Sequence, residues 1–343
     1  MMQTRLQAVD TATLDAALRP EGLAAALGVV RRVFPPTPLW ESHALSRWLG
    51  RPVWLKLETV TPIRAFKVRG ALVKAAELES HGHTGGLVTA SAGNHGLAVA
   101  FAGRRMTRPV TVFVPEHANP TKVAAMKALG ADVVLGGHTF RELADRALPF
   151  CERTGGVWVH PFDDPAVMAG QATVGQEIVD ALPTVAQVVV PVGGGGLASG
   201  IALALLAAAP GTALVGVQMA GADAMLQSLA AGRVVTRDKV STIADGLAPG
   251  TVSERTLAIA GVGAAQFVRL SDDALYPAMR ALLECDGVPA EPSAAAGVAA
   301  LLTGQVAGEG PVVVVVTGAN FTMEQMARVL DTPLPAGLAA QAG

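Results

Sequence analysis

The chain reads as a doubly wound α/β protein built on parallel sheets. Short β-branched runs recur at 53–57, 87–89, 110–114, 132–135, 187–190, 214–217 and 312–316. Stretches with helical spacing lie between them, at 119–129, 140–151, 167–182 and 197–209. The strand runs are apolar at every position rather than every second one, so each strand is buried on both faces, as parallel strands are. Functional sites in such folds gather at the carboxyl ends of the strands.

A length of 343 residues suggests roughly two domains. With 51% apolar and 16% charged residues the chain is not disordered. Aromatics make up only 4%, so Val, Leu, Ala and Ile must build the core. The 26 Lys and Arg nearly balance the 28 Asp and Glu, and no run of like charge offers a footprint for nucleic acid or an anionic membrane. The expected partner is small. The most continuous apolar stretch, 197–209, contains a Gly and a Ser and falls short of the roughly 20 residues a membrane-spanning helix needs. The start carries Asp10 and Asp15 and lacks the basic entry of a secretory signal. Cys151 and Cys285 lie in separate periodic segments and give no disulfide framework. A cytoplasmic protein is expected. No repeat and no Pro/Ser-rich linker divides the chain, so two domains must be interleaved or tightly joined. The Ala/Gly-rich tail from Pro333 is expected to be loosely ordered and leaves no room for a C-terminal regulatory domain.

Four segments carry chemistry. Ala65-Phe66-Lys67-Val68-Arg69-Gly70-Ala71 places a lysine at a helix start, where the positive end of the dipole disfavours its cation. Taken alone, Lys67 also fits an ordinary surface lysine. Thr89-Ala90-Ser91-Ala92-Gly93-Asn94-His95-Gly96 follows a strand and opens a helix; its small residues bare the backbone to an anion, and Ser91 and Asn94 can donate to a carboxylate or phenolate. Taken alone, that segment is better explained by a capping serine and a satisfied histidine. The third is strand, four glycines and helix, Gly193-Gly194-Gly195-Gly196-Leu197, a phosphate cradle. Ser199 is not preceded by Gly-Lys, so it is no Walker loop, and Gln218 stands where a dinucleotide fold has its acidic ribose ligand. The fourth is the strand end Thr317-Gly318-Ala319-Asn320 with its hydroxyl. A lysine, a phosphate cup, an anion clamp and a terminal hydroxyl together describe a pocket for a phosphorylated aldehyde, and pyridoxal 5′-phosphate is the candidate.

On these motifs, with Thr37-Pro38-Leu39, His160-Pro161-Phe162-Asp163-Asp164-Pro165, Ala169-Gly170-Gln171, Ala244-Asp245-Gly246 and Glu291-Pro292, the chain resembles the fold-type II pyridoxal-phosphate enzymes of the threonine/serine dehydratase (ammonia-lyase) and serine racemase branch. The resemblance runs from about 37 to 320. It implies two interleaved open parallel-sheet domains of the tryptophan synthase β-like kind, with 1–80 and 165–343 as the large cofactor-binding domain and 81–164 as the small one. By position, Lys67 resembles the lysine that binds the cofactor and acts as base, preceded by Phe66. Asn94 matches the partner of the ring's phenolic oxygen, and Gly193, Gly194, Gly195, Gly196 and Leu197 match the phosphate loop. Thr317 stands where the family has a hydroxyl facing the ring nitrogen. Ser91, Asn94 and His95 would hold the substrate carboxylate. A homodimer is the family expectation.

Several positions depart from the pattern. Arg64 brings a cation just ahead of the lysine and is carried as a candidate for an acidic side chain, against a solvent-facing arginine. Ala92 replaces the serine that supplies the second acid/base face in the racemases. Gln218 and Ala224 replace the carboxylates of the family's divalent-metal site, so no metal is expected, and Asp223 reads as a solvated acid. His81, His83, Arg104 and Arg105 read as surface. Glu291 reads equally as a residue near the cofactor and as a helix N-terminal acid. The expected activity is a lyase that deaminates a β-hydroxy-α-amino acid, of threonine or serine type or a phenylserine or 3-hydroxyaspartate, to a 2-oxo acid and ammonia. The alternatives are an amino-acid racemase and a non-catalytic pyridoxal-phosphate-binding protein.

Overall fold

The computed structural model describes residues 15–338. Its ten strands there are β1 (Leu39–Glu41), β2 (Val53–Leu57), β3 (Leu87–Ala90), β4 (Val110–Val114), β5 (Asp132–Leu135), β6 (Val157–Trp158), β7 (Gln187–Pro191), β8 (Ala213–Met219), β9 (Ala264–Leu270) and β10 (Val312–Val316). Six form one sheet in the order β1-β2-β10-β7-β8-β9, all parallel but β1. Four form a second, wholly parallel sheet in the order β5-β4-β3-β6. The smaller sheet is drawn from the middle of the chain and the larger one from both sides of it.

The helices are α1 (Pro20–Arg31), α2 (His43–Leu49), α3 (Lys67–Ser80), α4 (Asn94–Arg105), α5 (Pro120–Ala128), α6 (Phe140–Thr154), α7 (Pro165–Ala181), α8 (Gly196–Ala208), α9 (Ala224–Ala231), α10 (Glu254–Gly263), α11 (Leu275–Asp286), α12 (Pro292–Leu302) and α13 (Met323–Asp331). Strand β10 shows why the runs are continuously apolar. Val312, Val314 and Val316 enter one core cluster, while Val313 and Val315 enter the cluster on the opposite face. Each buried valine contributes roughly 1.5–3 kcal/mol, so an all-valine central strand secures both layers. Helix α3 turns Val68, Ala71, Leu72, Ala75 and Leu78 into the cluster around the small sheet, beside Leu87, Leu97 and Val112.

The seven strands expected from the sequence are all present. Strands β1, β6 and β9 show no continuous apolar run, because they are short or lie at sheet edges and mix polar with apolar residues. The tail differs from expectation as far as it is described: Leu338 is fully buried in the core and Leu334 packs against it. Leu338, rather than the small residues around it, anchors this part of the tail.

Candidate active site

The segment between β2 and α3 is stitched to the end of β10. Thr61 accepts from the Ala65 amide at 2.8 Å and donates to its carbonyl at 2.9 Å, closing a tight loop. Ala65 pairs with Gly318, and Phe66 N–H donates to the Thr317 carbonyl at 3.0 Å. Arg64 takes a left-handed backbone (φ 56°), rare for a non-glycine residue, and its carbonyl accepts from Ala319; its side chain is exposed. Lys67 thereby begins α3 beside the buried Thr317. Its Nζ donates to the Pro161 carbonyl at 2.7 Å and lies 5.2 Å from the Phe66 ring centroid. Burial pulls the amine down to about 8.

Pro161 belongs to the loop after β6. His160 Nδ1 accepts from the Phe162 and Asp163 amides at 3.3 and 2.8 Å, folding that loop on itself. Burial holds His160 near 4, which keeps that nitrogen an acceptor. Phe162 then lies against the glycine loop: a Cβ on Gly194 would run into its ring, and one on Gly196 would sit 2.9 Å from its Cβ. On the other side a Cβ on Gly193 would come within 2.8 Å of the Gly246 carbonyl, while Gly195 has φ 94°. Glycine is thus demanded here by the loop's own walls. No acceptor among the described residues takes the amide hydrogens of Gly193, Gly194, Gly195, Gly196 or Leu197. Five free N–H groups at the positive end of α8 suit a phosphate.

Across the small sheet's carboxyl edge, the half-buried Ser91 accepts from the Gly93 amide at 3.2 Å, and Asn94 opens α4. Asn94 Nδ2 donates to Glu291 Oε1 at 2.7 Å, and its Oδ1 accepts from Asn320 Nδ2 at 2.8 Å. His95, expected at the substrate, is turned inward. Its Nε2 is 3.0 Å from the Val159 carbonyl, a pure acceptor, so that nitrogen carries the proton. Its Nδ1 is buried without a partner, and burial with the neighbouring Lys67 charge brings the ring to about 3.

Glu291, the residue before α12, is buried, which raises its pKa; the Lys122 cation opposes that shift. Lys122 reaches across to Asp245 at 3.7 Å, joining α5 to the loop that flanks the glycines. Glu291 is thus the acid at the start of α12, and its side chain is turned to Asn94. Sequence reasoning passed over Asn320, Pro161, Phe162 and Lys122 as site residues; Pro161 acts through its backbone, which no residue pattern marks.

It also passed over a buried ionic cluster behind α3. Arg69 forks onto Glu58 at 2.7 and 2.8 Å and onto Glu177 with two bonds of 2.8 Å. Thr173 and Thr37 take further bonds from it, and Lys56 joins Glu177 at 2.6 Å. The detectable signal was Lys56, a charge inside an otherwise apolar strand. Asp223 is a correction: it is 1% exposed and paired with Arg237 and with Arg269 (3.0 Å), not solvated. Burial would raise its pKa, but the two arginines hold it below the usual range. His81, His83, Arg104 and Arg105 are exposed as expected. Among the described residues no group of three or more His, Cys, Asp or Glu could hold a metal, and no helix is long and apolar enough to cross a membrane.

A lysine drawn down by burial, a bare-amide cup and a buried hydroxyl lie at the ends of strands in the two sheets, an arrangement that fits an enzyme working with a phosphorylated aldehyde. The pyridoxal-phosphate dependent enzyme family matches residues 30–318, and the chain belongs to it. The L-threonine ammonia-lyase of Thermotoga maritima is 37% identical over 314 residues, covering 92% of this chain and 78% of the relative. The structure of maize serine racemase superposes with a TM-score of 0.86 at 29% identity, over 91% of this chain and 96% of that one. Threonine deaminase isoform 2 from Solanum lycopersicum gives 0.83 at 33% identity, over 93% and 94%. The fold is that of the fold-type II enzymes and the cofactor is pyridoxal 5′-phosphate.

Proposed function

We propose that the protein is an ammonia-lyase that converts a β-hydroxy-α-amino acid, of the threonine or serine type, to a 2-oxo acid and ammonia by α,β-elimination. One observation carries the reading: the Lys67 amine, held at the Pro161 carbonyl and brought down to about 8, with an alanine, Ala92, after Ser91 where the racemases it resembles carry a serine. The naming of the Thermotoga relative as an L-threonine ammonia-lyase supports it.

The amides of Gly193, Gly194, Gly195, Gly196 and Leu197 hold the phosphate, and Phe66 packs beside Lys67. Asn94 donates to the phenolic oxygen. Thr317 faces the ring nitrogen with a hydroxyl, which cannot keep that nitrogen protonated as a carboxylate would. When bound, pyridoxal phosphate supplies the electron sink for bond breaking at Cα. Ser91 and the backbone N–H of Asn94 hold the substrate carboxylate, with His95 buried next to them. An amine titrating near 8 is neutral in roughly a tenth of molecules at pH 7, so Lys67 can take the Cα proton without a further base. The electrons of the Cα–H bond become the Cα–Cβ double bond, and the β-hydroxyl leaves with the C–O electrons and takes up a proton to depart as water. Hydrolysis of the resulting enamine by water gives the 2-oxo acid and ammonia.

Arg64 is the candidate for an acidic β-substituent such as that of 3-hydroxyaspartate, and its exposed side chain fits the other reading, a solvent-facing arginine. The division into 1–80 with 165–343 and 81–164, a homodimer, and a cytoplasmic location complete the reading. Racemisation is the second reading, favoured by the likeness to maize serine racemase and disfavoured by Ala92. The test is release of 2-oxo acid and ammonia from threonine, serine, phenylserine and 3-hydroxyaspartate. Turnover of at least one is expected; enantiomer interconversion without ammonia release overturns the lyase reading.

A further inference from the structure

The hydrogen bonds around Asn94 admit only one assignment of its carboxamide. The group 2.7 Å from Glu291 Oε1 is Asn94 Nδ2, and the chain of bonds behind it fixes that choice whatever the charge of Glu291. The Ile63 carbonyl can only accept, so the group 2.9 Å from it must be Asn320 Nδ2, whose second hydrogen goes to Asn94 Oδ1 at 2.8 Å. Glu291 Oε2 takes the Asn320 amide at 3.0 Å, and the Glu291 amide itself donates to the Gly318 carbonyl. Glu291 and Asn320 are at most 8% exposed, so water does not compete for these bonds. One hydrogen on Asn94 Nδ2 is left without a partner in the relay.

We propose that Glu291 and Asn320 are positioning residues that lock the Asn94 carboxamide with this one N–H presented to the phenolic oxygen of bound pyridoxal phosphate. The inference rests on the assignment of Asn94 to the cofactor in the proposed function. Asn94 opens α4 on the small sheet, Asn320 and Glu291 lie at the carboxyl edge of the large sheet, and Ile63 sits four residues before Lys67. The relay therefore also fixes the spacing between the two groups that grip the cofactor ring, the amide on one sheet and the lysine on the other.

Glu291→Gln is the discriminating variant, because it is isosteric yet cannot complete the relay. Glutamine has one accepting oxygen where two N–H groups, of Asn94 and of Asn320, both need one. If Asn94 flipped to accept from the new amide, its Nδ2 would face Asn320 Nδ2, which Ile63 pins. The experiment is a double-mutant cycle of Glu291→Gln and Asn94→Ala. It reads the dissociation constant of pyridoxal phosphate from apoprotein, the relative intensities of the visible bands of the bound cofactor, and the apoprotein melting temperature. Loss of a hydrogen bond to a charged oxygen predicts roughly tenfold weaker binding for Glu291→Gln, with altered band intensities, and no further change in the Asn94→Ala background. An equal loss in both backgrounds, or no loss in the wild-type background, overturns the relay while leaving the role of Asn94 standing. Unchanged affinity and bands in Asn94→Ala overturn the assignment of Asn94 and the relay with it. Should Glu291→Gln fail to fold, Asn320→Ala enters the same cycle with the same expected and overturning outcomes.

Discussion

The Nζ of Lys67 donates to the carbonyl oxygen of Pro161 at 2.7 Å, joining the first residue of α3 to the loop that follows β6. The next residue of that loop, Phe162, lies against Gly194. One short segment thus touches both the amine and the anion cup. A backbone carbonyl is a neutral acceptor. It can hold either the amine or its cation, and it leaves burial to set which form prevails.

Burial disfavours the cation, and the consequence for stability has a definite sign. In the unfolded chain the lysine keeps its proton to about 10.5; in the folded apoprotein it releases it near 8. Between those values the unfolded state binds more protons, so apoprotein stability rises with pH across that window, by about 3 kcal/mol in full. Below pH 8 both states are protonated and the folded state bears the whole penalty. Chemical denaturation of apoprotein from pH 7 to 10.5 should show this rise in the wild type and its absence in Lys67→Met. Parallel curves for the two proteins would remove the buried-amine account. Lys67→Ala should also lose the visible absorbance of covalently held cofactor and nearly all turnover.

The cluster behind α3 carries a separate prediction. Arg69, Lys56, Glu58 and Glu177 balance in charge, and Arg69 is fully buried with its fork used on both carboxylates. Removing one member of such a set strands the others, which costs about 3–5 kcal/mol. Arg69→Met should therefore lower stability by that order in urea unfolding. Arg69→Lys should recover only part of it, since an ammonium cannot reproduce the planar fork. A loss under about 1 kcal/mol for Arg69→Met would show that water or Lys56 replaces the guanidinium.

How far the sequence spoke depended on what kind of signal each feature left. The central strands were legible because burial on both faces forces unbroken apolar runs, as at Val312–Val316. The glycines at 193–196 and the lysine at 67 were legible as motifs. Edge strand β1 was not, because Leu39–Glu41 has one face to solvent and only three residues. The inward turn of His95 and the carbonyl of Pro161 depend on how distant segments dock, and neither leaves a pattern along the chain. Asp223 looked solvated since its partners Arg237 and Arg269 are remote in sequence.

The expectation that no divalent metal is needed turns on Gln218. Its Nε2 donates to the Val192 carbonyl at 3.2 Å and lies 3.4 Å from that of Ala222, while its Oε1 accepts from the Leu226 amide at 2.9 Å. A neutral amide thus braces the residue before the glycine loop against the turn into α9. Hard divalent cations need several charged or carbonyl oxygens, and here the carbonyls are already engaged. Prolonged chelation should leave activity and melting temperature largely unchanged. A large loss that Mg²⁺ restores would place a metal elsewhere.

Reaction choice turns on Ala92. Racemisation needs a second proton donor on the face of the substrate opposite Lys67, and a methyl group can neither give nor take a proton. Elimination needs one base and a leaving group. With a β-hydroxy substrate in deuterated water, 2-oxo acid should form well in excess of the opposite Cα enantiomer. Ala92 lies in the loop between Ser91 and Gly93, half-buried, and packs against the cluster around the small sheet. Ala92→Ser should narrow the margin by returning a proton donor to that face. Should the unmutated enzyme instead interconvert enantiomers faster than it releases ammonia, another group or an ordered water serves as the second acid, and Lys67 is not the lone base.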